Sequence, residues 1–213
     1  MPRRSGTKQA RSSRRSARAQ SSSFKAEAAE SQRRALAVRR AARRVFTPRE
    51  VAQALDRMAA KLTPRLAGTN PVVLAVMYGG AFAALELSKR FDFPHEFDYV
   101  HVTRYRGAVQ GGALEWRVRP SAALEGRTVL VVDDILDRGT TLRALAAELK
   151  RVGVTTRLVA VLVVKRLARR RRRLRVDAAG VEVADVYVFG SGMDYRGYWR
   201  GLGGIYAAAA GRK

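Results

Sequence analysis

No cysteine occurs among the 213 residues, which excludes disulfides, thiolate nucleophiles and Cys-held zinc or iron–sulfur centres. Histidine is nearly as scarce. His95 and His101 are the only two, too few for a His-rich metal site. No apolar run approaches the roughly 20 residues that a membrane-crossing helix needs, and no apolar signal core follows Met1. The expectation is a cytoplasmic protein with no membrane partner. Acid is short as well, with 18 Asp plus Glu against 42 Lys plus Arg and a formal charge of +24. The chain is nonetheless 47% hydrophobic, enough for a real core, and its length fits one ordinary domain with a tail.

The shortage of acid is steepest at the start. Residues 1–45 hold 14 Lys plus Arg and only Glu27 and Glu30, a net +12, while 46–213 carry another +12 over almost four times the length. The first 23 residues have too little apolar surface to offset the entropy of ordering and are expected to be disordered. Phe24 to Arg44 turns Ala- and Arg-rich, compatible with a frayed basic helix. Three roles fit the tail: contact with nucleic acid or another anionic surface, an organelle transit peptide, or none. We favour none, because Phe24 is its single aromatic and a single-strand binder needs stacking platforms. A second basic run, Arg169 to Arg173 with Arg175, reads as an exposed loop, with nucleic-acid contact the minor reading.

Thr47-Pro48-Arg49-Glu50 opens the folded part, residues 46–213. Thr47 can cap a helix, Pro48 suits its first position, and Glu50 can close a capping box. Val51, Leu55, Met58, Leu62 and Leu66 form one apolar stripe, and Gly68 to Pro71 stops the helix. Buried strands are then expected at Val72–Met77, Tyr99–Tyr105, Thr128–Val132, Leu158–Val164 and Val183–Phe189, with a short return strand at Ala113–Val118. Helices are expected at Ala81–Lys89 and Thr140–Val152. Apolar runs alternating with helices predict an α/β fold with a mainly parallel sheet covered on both faces.

In such sheets ligands bind beyond the carboxyl ends of the strands. Thr128–Val132 leads straight into Asp133-Asp134-Ile135-Leu136-Asp137-Arg138-Gly139-Thr140-Thr141. Two adjacent carboxylates at a strand end could cap a helix or stay in water. A third acid followed by Gly-Thr-Thr at a helix start points further. Gly139 lets the backbone turn close to a ligand, and the amides of Arg138 to Thr141 with two hydroxyls suit a phosphate. Carboxylates that accept sugar hydroxyls beside a phosphate cradle fit a sugar phosphate.

Val129 to Thr141 resembles the phosphoribosyl-pyrophosphate (PRPP) motif of type I phosphoribosyltransferases. From about Phe46 to Tyr206 the chain is similar to their hypoxanthine-guanine branch. The resemblance implies the type I fold with a small hood region, and transfer of the 5-phosphoribosyl group from PRPP to hypoxanthine or guanine in purine salvage. It implies that Asp133 and Asp134 hold the ribose hydroxyls, that Arg138, Gly139, Thr140 and Thr141 cradle the 5-phosphate, and that Asp137 is the acid/base at N7 of the purine. It places pyrophosphate at Tyr78, Gly79 and Arg200, with a cis peptide between Met77 and Tyr78. Lys165 would bond the 6-oxo group, Tyr187 would stack on the purine, and the backbone at Val188 would meet its edge. Arg104 and Tyr105 would belong to a mobile loop with Gly107, Gly111 and Gly112. Mg²⁺ is the implied cofactor, with Asp194, Asp133 and Asp134 as its protein partners, and a homodimer or tetramer is the implied assembly.

Taken singly, several of these residues have plainer readings: a strand-to-helix turn at Gly79, a hairpin at Gly107, a solvated strand end at Lys165 and a core tyrosine at Tyr187. Two features depart from the family pattern, since Asp133 stands where Glu is common and Arg138 where a small hydroxyl residue is frequent. The rival function keeps the fold and makes the protein a nucleic-acid-binding regulator working through its basic tail.

Overall fold

A computed structural model describes residues 6–104, 114–166 and 174–209, and among side chains those of 6–22, 104 and 114 are left aside. The chain divides into two units, Met1–Ala42 and Arg43–Lys213. In the first, the basic tail takes the helical form. Helix α1 spans Gly6–Ala41, reaching back well before the start at Phe24 expected from sequence. Neither Gly nor Pro interrupts residues 7–46, and Ala, Arg, Gln and Lys all favour helix. Glu30 pairs with Arg33 and Arg34, both at 2.8 Å, and these hydrogen bonds hold its carboxyl below the usual range.

The second unit starts three residues earlier than expected, with strand β1, Arg43–Phe46. Helix α2 then spans Pro48–Leu66. Its capping box forms as the sequence implied: Thr47 Oγ1 accepts from Glu50 N at 3.2 Å, and Thr47 N donates to Glu50 Oε2 at 2.7 Å. The remaining elements are β2 (Val72–Val76), α3 (Gly80–Ser88), β3 (Glu96–Arg104), β4 (Leu114–Val118), β5 (Thr128–Leu136), α4 (Thr140–Arg151), β6 (Thr156–Lys165), β7 (Ala178–Val183), β8 (Val188–Phe189) and β9 (Ile205–Ala207).

Six strands form the main sheet in the order β4-β3-β2-β5-β6-β7, and only the β3–β4 pairing is antiparallel. Side chains alternate between its faces. Val73, Ala75, Leu130 and Val132 pack with Leu55, Met58 and Leu62 of α2 on one face. Val72, Leu74, Val129 and Val131 pack with Leu142, Leu145 and Leu149 of α4 on the other. Both faces are dry, which explains why these strands read as unbroken apolar runs. A second sheet, β1-β9-β8, is antiparallel and forms the small hood. Among the described residues no helix is long and apolar enough to cross a membrane.

Two strand assignments need correction. Val183–Phe189 is not one strand. Val183 ends β7 in the main sheet, a turn closed by Val186 N to Ala184 O at 2.8 Å follows, and Val188–Phe189 joins the hood. The sequence concealed β7 because Ala178-Ala179-Gly180 lacks β-branched side chains. Their smallness has a packing reason, since a Cβ at Gly180 would meet the Leu162 carbonyl and the Met58 sulfur. The second correction concerns β5, which runs four residues beyond Val132. Asp133 and Asp134 are therefore in the sheet, with Asp133 paired to Val161.

The cap makes a prediction. Thr47→Ala should lower stability by about 1 kcal/mol in urea unfolding, and Thr47→Ser should restore most of it. An unchanged midpoint for the alanine variant would show that α2 is held by its buried stripe alone.

Candidate active site

The end of β5 supplies the first part of the site. Asp133 and Asp134 are half-buried, and Asp134 N donates to Asp133 Oδ1 at 3.0 Å. Asp137 and Arg138 follow in an exposed turn that ends at Gly139, whose φ of 70° and ψ of 16° lie in the left-handed region that favours glycine. Arg143 braces this turn, with Nη1 donating to the Arg138 carbonyl at 2.9 Å and its amide to Gly139 O at 3.0 Å. The amides of Thr140, Thr141 and Leu142 have no acceptor among the described residues, as at any uncapped helix start. Asp133, Asp134, Asp137, Arg138, Gly139, Thr140 and Thr141 thus share one cavity of about 290 Å³, together with Met77 and Val102.

A second cavity, about 200 Å³, adjoins it and shares Asp134, Ile135 and Asp137. Its other walls are Lys165, Tyr187, Val188, Met193 and Asp194. Lys165 closes β6, and its Nζ lies 3.3 Å from Asp185 Oδ1. Tyr187 is oriented from both ends, with its hydroxyl donating to the Asp194 carbonyl at 2.8 Å and its ring edge-on to Tyr195 at 5.8 Å. Burial, and then the charge of Asp194, raise the Tyr187 phenol above its ordinary pKa, so the hydroxyl stays a donor.

Arg200 joins the hood loop to this region. Its Nη2 sits 2.7 Å from Asp194 Oδ1 and its Nη1 donates to Gly192 O at 2.7 Å, while Gly197 N donates to Asp194 Oδ2 at 2.6 Å. The guanidinium also lies 5.9 Å from the centre of the Tyr78 ring. The Met77–Tyr78 peptide is cis, and Tyr78 is 60% exposed. Gly79 leaves room for Asp134, because a Cβ there would overlap the Asp134 carboxylate and force that side chain to move. Gly79 and Arg200 thus stand beside Asp134, with Tyr78 next to Arg200 and His101.

Burial drives the electrostatics. It holds Asp133 well above the ordinary carboxylate range, and the charge of Asp134 pushes the same way. Burial also raises Asp134, opposed by its hydrogen bond with Asp133 and by the charge of Arg200. Ile135 and Met193 line the second cavity, and Asp185 stands outside its walls against Lys165, none of the three having been expected there. Ile135 was hidden as one apolar residue among acids. Asp185 could be placed only by knowing where the β7–β8 connection runs, and Met193 only by knowing how the chain returns after β8. Of the expected mobile loop, Arg104 ends β3, whereas Tyr105, Gly107, Gly111 and Gly112 lie outside the described residues, as do Arg169–Arg173.

Residues 43–196 match the model of the phosphoribosyl transferase domain family. The chain is 30% identical over 158 residues to the hypoxanthine-guanine-xanthine phosphoribosyltransferase of Tritrichomonas foetus, covering 74% of this chain and 86% of that one. A bifunctional protein of Listeria monocytogenes, TilS/HprT, is 33% identical over 155 residues, 72% of this chain but 24% of its own length. The solved hypoxanthine phosphoribosyltransferase of Staphylococcus aureus superposes with a TM-score of 0.73 at 26% identity, covering 78% of this chain and 91% of that one.

The raised carboxyls carry a stability consequence. Because folding lifts the pKa of Asp133 and Asp134, the folded state holds protons that the unfolded state releases. Stability is then greatest below the ordinary carboxylate pKa, as far as this pair is concerned, and is lost as pH rises through the elevated folded value. Asp133→Asn removes the cost and should raise the melting temperature of the ligand-free protein at pH 7 by about 3 °C, the shift that about 1 kcal/mol brings in a domain of this size. A lower melting temperature in that variant would mean that the ionised pair is stabilising.

Proposed function

The chain belongs to the phosphoribosyl transferase family, and from that premise we propose that it transfers the 5-phosphoribosyl group of PRPP to the 6-oxopurines hypoxanthine and guanine in purine salvage, releasing pyrophosphate and forming IMP or GMP. One observation carries this reading: two cavities meet at Asp134, Ile135 and Asp137, one beneath a helix N-terminus with two hydroxyls and the other walled by Lys165 and Tyr187. Phosphate chemistry on one side and a flat, carbonyl-bearing base on the other fit the two halves of such a reaction. The regulator alternative finds no support, since the Tritrichomonas and Staphylococcus relatives named above both bear a phosphoribosyltransferase name.

The family resemblance assigns the roles, and the geometry supports them. The free amides at Thr140 to Leu142 and the hydroxyls of Thr140 and Thr141 hold the 5-phosphate, and the helix dipole favours its charge. Asp133 and Asp134 accept the ribose hydroxyls. Tyr78, Gly79 and Arg200 face the pyrophosphate, where Arg can bridge two phosphate oxygens through its planar fork. In the second cavity the purine lies against the oriented ring of Tyr187, with its edge toward the Val188 backbone. Lys165 carries donors only, so it favours a 6-oxo group and disfavours a 6-amino group. As the bond from ribose C1 to pyrophosphate breaks and the bond to purine nitrogen forms, a proton leaves N7. Asp137, exposed at the junction of the cavities, is placed to take it.

Mg²⁺ is the cofactor this reading requires. Among the described residues no cluster of three or more acidic or imidazole ligands forms a cage. Magnesium does not need one, since it keeps waters and substrate oxygens around one or two carboxylates. Asp133 and Asp134 offer hard oxygen donors whose burial and mutual repulsion a cation would relieve. Asp194, already engaged by Arg200 and Gly197, would contribute through water. When bound, the ion neutralises charge on the departing pyrophosphate. A homodimer or tetramer and a cytoplasmic location belong to the same reading. Phe97 and Tyr99 of β3 and Val118 of β4 support the assembly, being exposed on one face of the sheet, a surface that a second copy would cover.

With PRPP and Mg²⁺, a spectrophotometric assay should register turnover of hypoxanthine and guanine and little of adenine, with xanthine tested alongside. No turnover of any base by folded protein would overturn the proposal. Asp137→Asn should lower kcat about 10²-fold while changing the KM for PRPP less than about twofold. Equal loss of both would remove Asp137 from its proton-transfer role.

A further inference from the structure

Asp185 belongs to no motif, yet it faces the residue on which base choice depends. It sits at the apex of the turn between β7 and β8, the turn closed by Val186 N to Ala184 O at 2.8 Å. The opposite strand end brings Lys165 to it, because Lys165 pairs with Val183 in the sheet and Arg166 N donates to Val183 O at 2.8 Å. The outcome is the contact of Lys165 Nζ with Asp185 Oδ1 at 3.3 Å, between a lysine side chain that is 15% exposed and an aspartate that is 60% exposed.

This asymmetry matters physically. A lysine side chain with most of its surface covered has little water to solvate it, and a counter-charge helps its ammonium keep one position. Three other carboxylates line the same cavity, and since Asp194 is already held by Arg200 and Gly197 N, the two left to compete are Asp134 and Asp137. A lysine has a flexible four-carbon stem, so an untethered Lys165 could turn toward either of them. Pairing with Asp137 would withdraw the donor from the base and occupy the carboxylate that takes the N7 proton. Asp185 lies outside the cavity walls, and from there it draws the ammonium away from the two inner acids. Its own exposure keeps the pair loose enough for Nζ to retain donors for a substrate carbonyl. The neighbouring pair Arg166–Glu182, 3.3 Å apart and largely exposed, shows that the adjacent cation is already matched with another acid.

We propose that Asp185 is a positioning residue that holds Lys165 at the rim of the base cavity and so sets the preference for a 6-oxo group, an inference that rests on the purine phosphoribosyltransferase reading. It acts on the base alone and not on PRPP. The loss expected on removing it is the modest one typical of a partly exposed ion pair, felt when purine binds.

The test uses the full-length enzyme and four variants: Asp185→Asn, Asp185→Glu, Lys165→Met and the double variant Asp185→Asn/Lys165→Met. Asp185→Asn should raise the KM for hypoxanthine about fivefold. The KM for PRPP should stay put, and the ratio of hypoxanthine to adenine kcat/KM should fall. Asp185→Glu should recover most of the loss, and Asp185→Asn should add nothing in the Lys165→Met background, as for two residues acting through one interaction. An unchanged KM for hypoxanthine in Asp185→Asn overturns the inference. So does an equal rise in both KM values, failure of Asp185→Glu to rescue, or an additive effect in the double variant. Wild-type enzyme inactive on every purine would instead overturn the underlying function.

Discussion

One strand has to be core and chemistry at once. β5 lies inside the parallel sheet, flanked by β2 and β6, and its first half, Val129 to Val132, is dry on both faces. Without leaving the sheet it continues into Asp133 and Asp134. The backbone ladder that stabilises the hydrophobic half therefore also dictates where two carboxylates must stand, and it stands them where water is scarce. Their raised pKa values are the electrostatic record of that placement. The neighbouring turn adapts, since Gly79 leaves the space that Asp134 fills. Active-site rigidity and the cost of burying charge thus have one origin.

The hood is built around that strand from the other side. Its two-residue strand β8, with Tyr187 just before it, brings Tyr187 and Val188 against the second cavity, and the loop beyond it returns Asp194 and Arg200 to the same region. These groups hold one another: Tyr187 bonds the Asp194 carbonyl, Asp194 pairs with Arg200, and Lys165 pairs with Asp185. A ligand entering such a site meets side chains already oriented, which limits the entropy lost on binding.

The contiguous part of the site was legible in the chain. Asp133 to Thr141 follow one another, and an apolar run that breaks into acids and then Gly-Thr-Thr announces both a strand end and a helix start. Lys165, Tyr187, Asp194 and Arg200 were reached through family resemblance, because each alone looks like an ordinary strand end or core residue. Asp185 was reached by neither route. Its contact with Lys165 spans 20 residues of chain and forms only because β7 pairs with β6 before the backbone turns into the hood.

By itself the sequence determined the elements whose hydrophobic period is unambiguous: the capped helix α2, the apolar strands β2, β5 and β6, the helix α4 and the acidic-to-glycine run between β5 and α4. Local energetics suffices there, because burial and capping act on neighbouring residues. Tertiary structure alone decided that Val183 and Phe189 fall in different sheets, that Ala178-Ala179-Gly180 is a strand at all, and that Asp133 is a sheet residue rather than a loop residue. In each case the deciding partner is distant in sequence: Met58 and Leu162 against Gly180, Tyr206 opposite Phe189, and Val161 opposite Asp133. Small or polar residues carry no strong preference of their own, so the strand that pairs with them decides what they become.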